Sequence, residues 1–267
     1  MRKSFETTTA IDVAVRLAAG EVELACTDTA ETVVEVEALN QSAEARMEEF
    51  RVELQGARLI VEAPDRGGVF GHSPEYRARV RCPSGSGLES RTASADIRTT
   101  GRLGRLDVKS ASGDVRVDEV DGICGTSSAS GDIRIGSAHG PVEVGTTSGD
   151  VEIGRAASGL RAHLTSGDLR ASEVEGGADV NTVSGDIVLE SVGPGSIRLR
   201  SVSGDVEVGV RQGCDVWMDV KTMSGDTSSD LESREAAPAD RSKLVEIDAN
   251  TLSGDVRILR ASPSPAT

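Results

Sequence analysis

The sequence predicts an all-β fold: a β-solenoid, or β-helix, of roughly nine coils, capped by an N-terminal β-rich segment with one short helix. Three observations predict it. The tripeptide Ser-Gly-Asp recurs through the last two-thirds of the chain, placing aspartates at Asp114, Asp132, Asp150, Asp168, Asp186, Asp205, Asp226 and Asp255 after a degenerate Ser94-Ala95-Asp96. From Asp96 onward the spacing is 18 residues five times in succession, then 19, 21 and 29. Within each unit apolar and polar residues alternate. Aromatic residues make up only 2% of the chain, and residues 94–208 contain none.

The N-terminal elements follow in order. Residues 12–17 and 21–25 alternate as strands with Gly20 between them, and residues 32–39 read as another strand. Residues 42–50 open on Ser42, a residue type that caps helices, and continue as the helix-favouring run Ala43-Glu44-Ala45-Arg46-Met47-Glu48-Glu49. Residues 51–54 and 58–63 return to strand, and residues 65–74 form a Gly/Pro loop. A terminal repeat needs a cover for its outer face, so residues 1–80 are assigned as the cap and residues 81–260 as the repeat array.

The repeats have their own logic. After Asp150, Val151 and Ile153 flank Glu152, and nine residues on Leu160 and Ala162 flank Arg161. In the unit before, Ile133 and Ile135 flank Arg134, and Val142 and Val144 flank Glu143. Period two over so few residues gives half-buried strands, two per 18-residue unit. Glycine stands at the turns, where a positive φ or a close backbone approach is needed. A unit this short cannot bury its own apolar face, but stacking strand on strand at about 4.8 Å does. An antiparallel sandwich also has short strands but does not require a constant gap. A narrow coil has room only for Val, Ile, Leu, Ala and Thr, which accounts for the missing aromatics. Four residues before each aspartate runs a hydroxyl column, Thr92, Ser110, Ser128, Thr146, Thr182, Ser201, Thr222 and Thr251, interrupted by Leu164. These side chains can bond to one another or to the corner backbone. The 29-residue gap holds a polar insertion at 227–243, read as a loop leaving one coil. The Ser/Pro tail, 261–267, is expected to be disordered.

Lys and Arg number 29 against 44 Asp and Glu, a net charge of −15. That balance argues against nucleic acid, whose binders cluster basic residues and stacking aromatics, and against anionic lipid. No apolar run approaches the roughly 20 residues of a membrane span. Arg2 and Lys3 are not followed by the apolar stretch of a signal peptide. Cys26, Cys82, Cys124 and Cys214 form no C-x-x-C pair, so neither a zinc nor a redox motif is present. Four reduced thiols and a cytoplasmic location are expected.

The aspartates are the first candidates for chemistry. Carboxylates stacked about 5 Å apart repel by about 0.8 kcal/mol in bulk water and about 3 kcal/mol at an effective dielectric of 20. Either Ca²⁺ or backbone N–H donors must offset this. Calcium-binding repeats use Gly-Gly-x-Gly-x-Asp with several carbonyls on the ion. One Gly and one Asp per coil favour plain turn chemistry, so Asp96 and the eight that follow are read as a structural turn ladder, and no metal or cofactor is expected. Two residues after each aspartate stands an outward position, occupied by arginine at Arg98, Arg116 and Arg134. These form either a face for an acidic partner or a solvated face paired with neighbouring acids. Trp217, the only tryptophan, either covers the last coils or anchors a partner. His72, His139 and His163 sit in no zinc or nucleophile motif. No catalytic residue is assigned, and the protein is not expected to be an enzyme.

The motifs Ala-Ser-Gly-Asp-Val-Arg-Val (111–117), Thr-Ser-Gly-Asp-Val-Glu-Ile (147–153) and Val-Ser-Gly-Asp-Val-Glu-Val (202–208) resemble the repeats of the toastrack, or "putative adhesin", family of bacterial domains. The lead-in at 78–90, with Val80 and Pro83 before Gly-Ser-Gly-Leu, is similar to that family's entry into its repeats. The resemblance covers residues 10–260. It implies a domain of unassigned activity, acting as a structural or interaction scaffold linked to envelope-stress and membrane signalling. The alternative it leaves open is an extracellular adhesin that binds Ca²⁺ or glycan through the solenoid surface. The expected partner is an unidentified protein, with no nucleic acid and no direct membrane insertion. Open coil ends expose sheet edges, which gives a route to head-to-tail self-association.

Overall fold

Parallel strands one coil apart organise the protein. A computed structural model describes residues 1–64, 73–231 and 241–262, in two compact units, Met1–Ile135 and Gly136–Thr267. The fold is the β-solenoid that the repeat predicts. Each coil supplies two strands, so each unit carries two columns of parallel strands.

The first unit runs through β1 (Arg2–Glu6), β2 (Asp12–Thr27), β3 (Glu31–Ala38), the one-turn helix α1 (Gln41–Glu44), β4 (Arg51–Gln55), β5 (Arg58–Glu62), β6 (Tyr76–Pro83), β7 (Gly87–Leu103), β8 (Arg105–Ser112), β9 (Val115–Val120) and β10 (Cys124–Ser130). The two strands expected at 12–17 and 21–25 are one strand that turns a corner. Gly20 at that corner has φ +121°, and a Cβ there would collide with the backbone oxygen of Tyr76, so glycine is required. β2 runs parallel to β7 from Asp12 opposite Gly87 to Ala25 opposite Thr100. In that register Ala19-Gly20-Glu21 stands against Ser94-Ala95-Asp96. β2 is therefore a coil in its own right, with a further variant of the corner tripeptide, inside the segment assigned as cap. The boundary expected at residue 80 is not where the compact units divide, because this pairing ties 12–27 to 87–103.

The excursion between β2 and β7 does the covering. β5 lies parallel to the first half of β2 and β6 to its second half. β4 closes antiparallel on β5, and β3 and then β1 close antiparallel on β6. On the other side of β2, the first half of β7 carries β8 and β10 in succession, and its second half carries β9. The helix expected at 42–50 is shorter than its composition suggests. α1 is capped by Asn40, not Ser42: the Asn40 Oδ1 accepts from the Ala43 N–H at 2.9 Å, while its Nδ2 donates to Ser73 O at 2.9 Å. A 3-10 turn, Met47–Glu49, follows. Phe50 and Tyr76 pack edge to face here, ring centroids 5.0 Å apart. This excursion has room for rings that the coils exclude.

The chain enters the second unit within β11 (Ile133–Ala138). The coils then follow as strand pairs: β12 (Val142–Ser148) with β13 (Val151–Ala156), β14 (Leu160–Ser166) with β15 (Leu169–Val174), β16 (Ala178–Asn181) with β17 (Ile187–Val192), β18 (Gly195–Ser203) with β19 (Val206–Val210), β20 (Asp215–Ser224) with β21 (Thr227–Ser229), and β22 (Leu244–Ser253) with β23 (Val256–Arg260). From β12 to β19 each coil stacks on the one before it in sequence. The last two coils do not. β22 lies between β18 and β20, parallel to both, and β23 lies between β19 and β21. The coil made last is intercalated, and the coil at 215–229 ends the column. The insertion expected at 227–243 is the crossover that this order demands. It begins as β21 and ends in a 3-10 turn at Arg241–Lys243. Its residues 232–240 lie outside the described residues, as do 65–72 of the Gly/Pro loop and 263–267 of the tail.

Inward residues stack in register through the coils. Leu160, Ala178, Ile197 and Ile247 form one buried column, and Leu169, Ile187, Val206 and Val256 another. Burying each Val, Leu or Ile contributes about 1.5–3 kcal/mol. Beside them, Ser128, Thr146, Thr182, Ser201 and Thr251 of the hydroxyl column are buried, and Thr92, Ser110 and Thr222 half-buried. Thr92 and Ser110 bond across one coil step at 3.2 Å, and Ser128, Thr182 and Thr251 donate to the carbonyl two residues on. The hydroxyls of Thr146 and Ser201 have no partner among the described residues.

Candidate functional site

The corner glycine sets up everything at the aspartate column. Gly185 has φ +132°, and a Cβ on it would collide with the oxygen of Gly167 in the coil before. That close approach lets each corner lie directly on the last. The aspartate that follows is then bonded through three groups. In the first unit the Asp114 N–H donates to the Asp96 Oδ1 at 2.9 Å, and the Asp132 N–H to the Asp114 Oδ1 at 3.1 Å. In the second unit Asp150 accepts from Asp168, Asp168 from Asp186, Asp186 from Asp205, Asp205 from Asp255 and Asp255 from Asp226, at 2.8–2.9 Å. Each aspartate carbonyl also accepts from the coil before, as Asp186 O does from the Leu169 N–H at 2.9 Å.

At seven of the nine corners one carboxylate oxygen is therefore held by a backbone N–H, which offsets the repulsion between stacked charges. The second oxygen meets arginine at several corners. Arg116 reaches the Asp114 Oδ2 at 3.0 Å, and Arg134 reaches the Asp132 Oδ2 at 3.1 Å. Two of the three arginines singled out from the sequence are thus paired with the aspartate two residues earlier, and both are half-exposed. Such pairs contribute little to stability.

Arg98 behaves differently. It makes no ion pair among the described residues and lines a groove of about 370 Å³ in the first unit with Arg2, Arg79, Arg81, Glu23 and Glu35. Of the groove's apolar residues, Leu24 and Val80 face the coil interior and are buried, while Ala25 and Val33 share the outward face with the arginines. Arg79 is committed to Glu23 at 3.0 Å and Glu37 at 3.3 Å, and Arg2 to Glu35 at 3.4 Å. Arg81, like Arg98, is left without a carboxylate among the described residues. Beside the groove, the guanidinium of Arg77, bonded to Glu21 at 2.7 Å, holds the Glu21 carboxyl below the ordinary carboxylate range, with smaller contributions from Arg79 and Arg98. Sequence reasoning missed Arg79 and Arg81. The signal was present as Arg77-Ala78-Arg79-Val80-Arg81, a period-two strand with one basic face.

Trp217 sits on the outward face of β20 and is 47% exposed, so it does not cover the coil interior. His163 is exposed on β14, His139 is exposed in the turn before β12, and His72 lies outside the described residues. The four cysteines are free thiols and buried. Cys26 and Cys82, 56 residues apart in sequence, are register partners across β2 and β6 with Sγ atoms 3.8 Å apart. Burial pushes the Cys124 thiol up to about 12. Among the described residues no helix is long and apolar enough to cross a membrane.

Among solved structures, a "putative lipid binding protein" from Parabacteroides distasonis shares 12% identity over 97% of this chain and 96% of its own, with a TM-score of 0.50. A "putative adhesin" from Bacteroides fragilis shares 13% identity over 96% of each chain, with a TM-score of 0.49. At 12% identity the likeness to the Parabacteroides distasonis structure is one of fold alone. No curated protein matches the chain. The profile of the Toastrack DUF4097 family matches residues 6–173 and again residues 80–259. Two overlapping placements are what a repeated architecture gives, and together they span nearly the whole sequence: the chain belongs to the toastrack family.

Proposed function

We propose that this protein is a non-enzymatic interaction scaffold whose rigid coils present a binding groove to an acidic segment of a protein partner. The observation that carries the reading is the contrast between the two polar columns. Most ladder carboxylates accept a backbone N–H from the neighbouring corner, which supports reading them as turn residues. Arg81 and Arg98 are the groove arginines with no ion pair among the described residues. A short peptide carrying carboxylates complements them.

The test is capture by the full chain from cytoplasmic and membrane fractions of the native cell, against the double variant Arg81→Glu/Arg98→Glu. Under this reading a partner is retained by the native chain and lost by the variant, while both melt at the same temperature. Equal capture by the two would overturn the groove. The fraction that yields the partner also tests the proposed cytoplasmic location and the proposed link to envelope-stress signalling. A second reading, an extracellular adhesin, is favoured by the name of the Bacteroides fragilis structure and requires the protein outside the cell. Calcium separates the two further. With the ladder oxygens already bonded, melting temperature is expected to be the same in millimolar Ca²⁺ and in chelator. A rise of several degrees with Ca²⁺ favours the adhesin.

A further inference from the structure

β20, the end strand of its column, pairs with β22 on one side, and no strand pairs with its other edge among the described residues. Val216, Met218 and Val220 stand in register with Val245, Ile247 and Ala249, which are fully buried, yet they are only half-buried themselves. On the outward face of the same strand Trp217 and Met223 are exposed, Met223 to 83%. A ten-residue strand with one edge unpaired is a template for another strand.

The backbone is aimed for it. In this column inward residues point their N–H at the following coil: Leu160 donates to Gly177 O at 3.1 Å and Thr182 to Arg200 O at 2.9 Å. At the same register positions Met218 and Thr222, and Val220 between them, present theirs to the free edge.

We propose that the occupant is β20 of a second copy of this chain, paired antiparallel about Val220, so that two molecules join end to end through a two-fold axis. The outward side chains choose this register. Antiparallel partners share a face, so centring on Val220 sets Asp219 against the second copy's Lys221 and Trp217 against its Met223. A shift of one residue either way sets Asp219 or Lys221 against its own copy, and like charges directly opposite are destabilising. The two outward pairs fall at the non-hydrogen-bonded positions, where side chains approach most closely, and a thioether against an indole is favourable. The contact is isologous and closes as a dimer. Head-to-tail assembly, the arrangement expected from open coil ends, would instead set β20 against the N-terminal strands that lie over β2.

The experiment is sedimentation of the full chain over about 1–100 µM, with Trp217 emission read in parallel, since the only tryptophan lies at the contact. The native chain is expected to pass from monomer to dimer with a blue shift. Asp219→Lys and Lys221→Asp each place like charges at both outward pairs and are expected to weaken the dimer about tenfold or more. Mixing the two variants restores opposite charges at both pairs and restores the dimer. A native chain that stays monomeric overturns the proposal. So does a dimer that forms without a change in Trp217 emission, or an equimolar mixture of the variants that associates no better than either alone. Both substitutions are at exposed or half-exposed sites, so melting curves separate a lost contact from a lost fold.

Discussion

The first coil and the end coil of this protein are built alike and finished differently. β2 has a buried strand on each side, with β7 continuing the coils and β5 and β6 covering the other edge. Its inward residues Val13, Val15, Leu17, Val22 and Leu24 are all buried. β20 has the same alternation and also meets a positive-φ corner glycine, Gly225, yet its inward residues are only half-buried. The difference lies in what the chain does between coils. Between β2 and β7 the strands β5 and β6 lie over the edge of β2, whereas the chain leaving β21 returns as β22 on the inner side of β20. A repeat therefore specifies how a coil is made, and the irregular segments decide which edge is left open.

That comparison can be broken most sharply at the intercalated coil. Neighbouring parallel strands bring register partners to about 4.8 Å, within disulfide reach, and next-but-one strands to about 10 Å, outside it. The pair Arg198→Cys and Asp248→Cys is expected to cross-link under mild oxidation, and the pair Arg198→Cys and Asp219→Cys is not. The reverse yield on a non-reducing gel would restore stacking in sequence order.

The next effect is energetic. Ile247 stands between Ile197 and Met218 in one column. Ile247→Ala is expected to cost about 2–5 kcal/mol, and Met218→Ala at the open end about 1 kcal/mol or less. Urea unfolding below the dimerisation range reads both. Equal losses would mean that β20 is covered in solution even as a monomer.

The smallest effect sharpens the comparison at the corner. The Asp186 carboxylate accepts from Asp205, whereas the Asp226 carboxylate, at the end of the ladder, accepts from no coil among the described residues. Asp186→Ala is expected to lose about 1 kcal/mol, and Asp226→Ala to stay within about 0.5 kcal/mol of native. A comparable loss at Asp226 would assign the aspartates a role inside their own turn in place of one between coils.

Much of this was legible in the sequence because the coil is a local object. Eighteen residues, a Gly-Asp corner and two alternating triplets repeat often enough to announce strands, turns and buried columns without any tertiary information. The coil at β2 was not legible. Its corner reads Ala-Gly-Glu, and residues 28–86 separate it from the coil it pairs with. The helix cap was misplaced because Asn40 and Ser42 are both good caps, and only the bond from Asn40 to Ser73 across the excursion selects one of them. The groove residues Arg79 and Arg81 were visible as an alternating strand, but their convergence with Arg98 depends on β6 and β7 flanking β2. The proximity of Cys26 and Cys82 comes from the same pairing.

By itself, then, the sequence determined the coil: its period, its corner chemistry, its aromatic-free interior and the outward basic positions. The tertiary structure decided the order and the ends. Inward faces of Val, Ile, Leu and Ala are nearly interchangeable between coils, and loop closure grows only slowly in cost with length, so the period places no constraint on which coil stacks on which. The choice falls to burial. The coil at 244–260 carries Val256 and Ile258 at the inward positions of its second strand and takes the inner place. The coil at 215–229 has Thr227 and Ser229 at those positions and is left outside, with the far edge of β20 unpaired among the described residues.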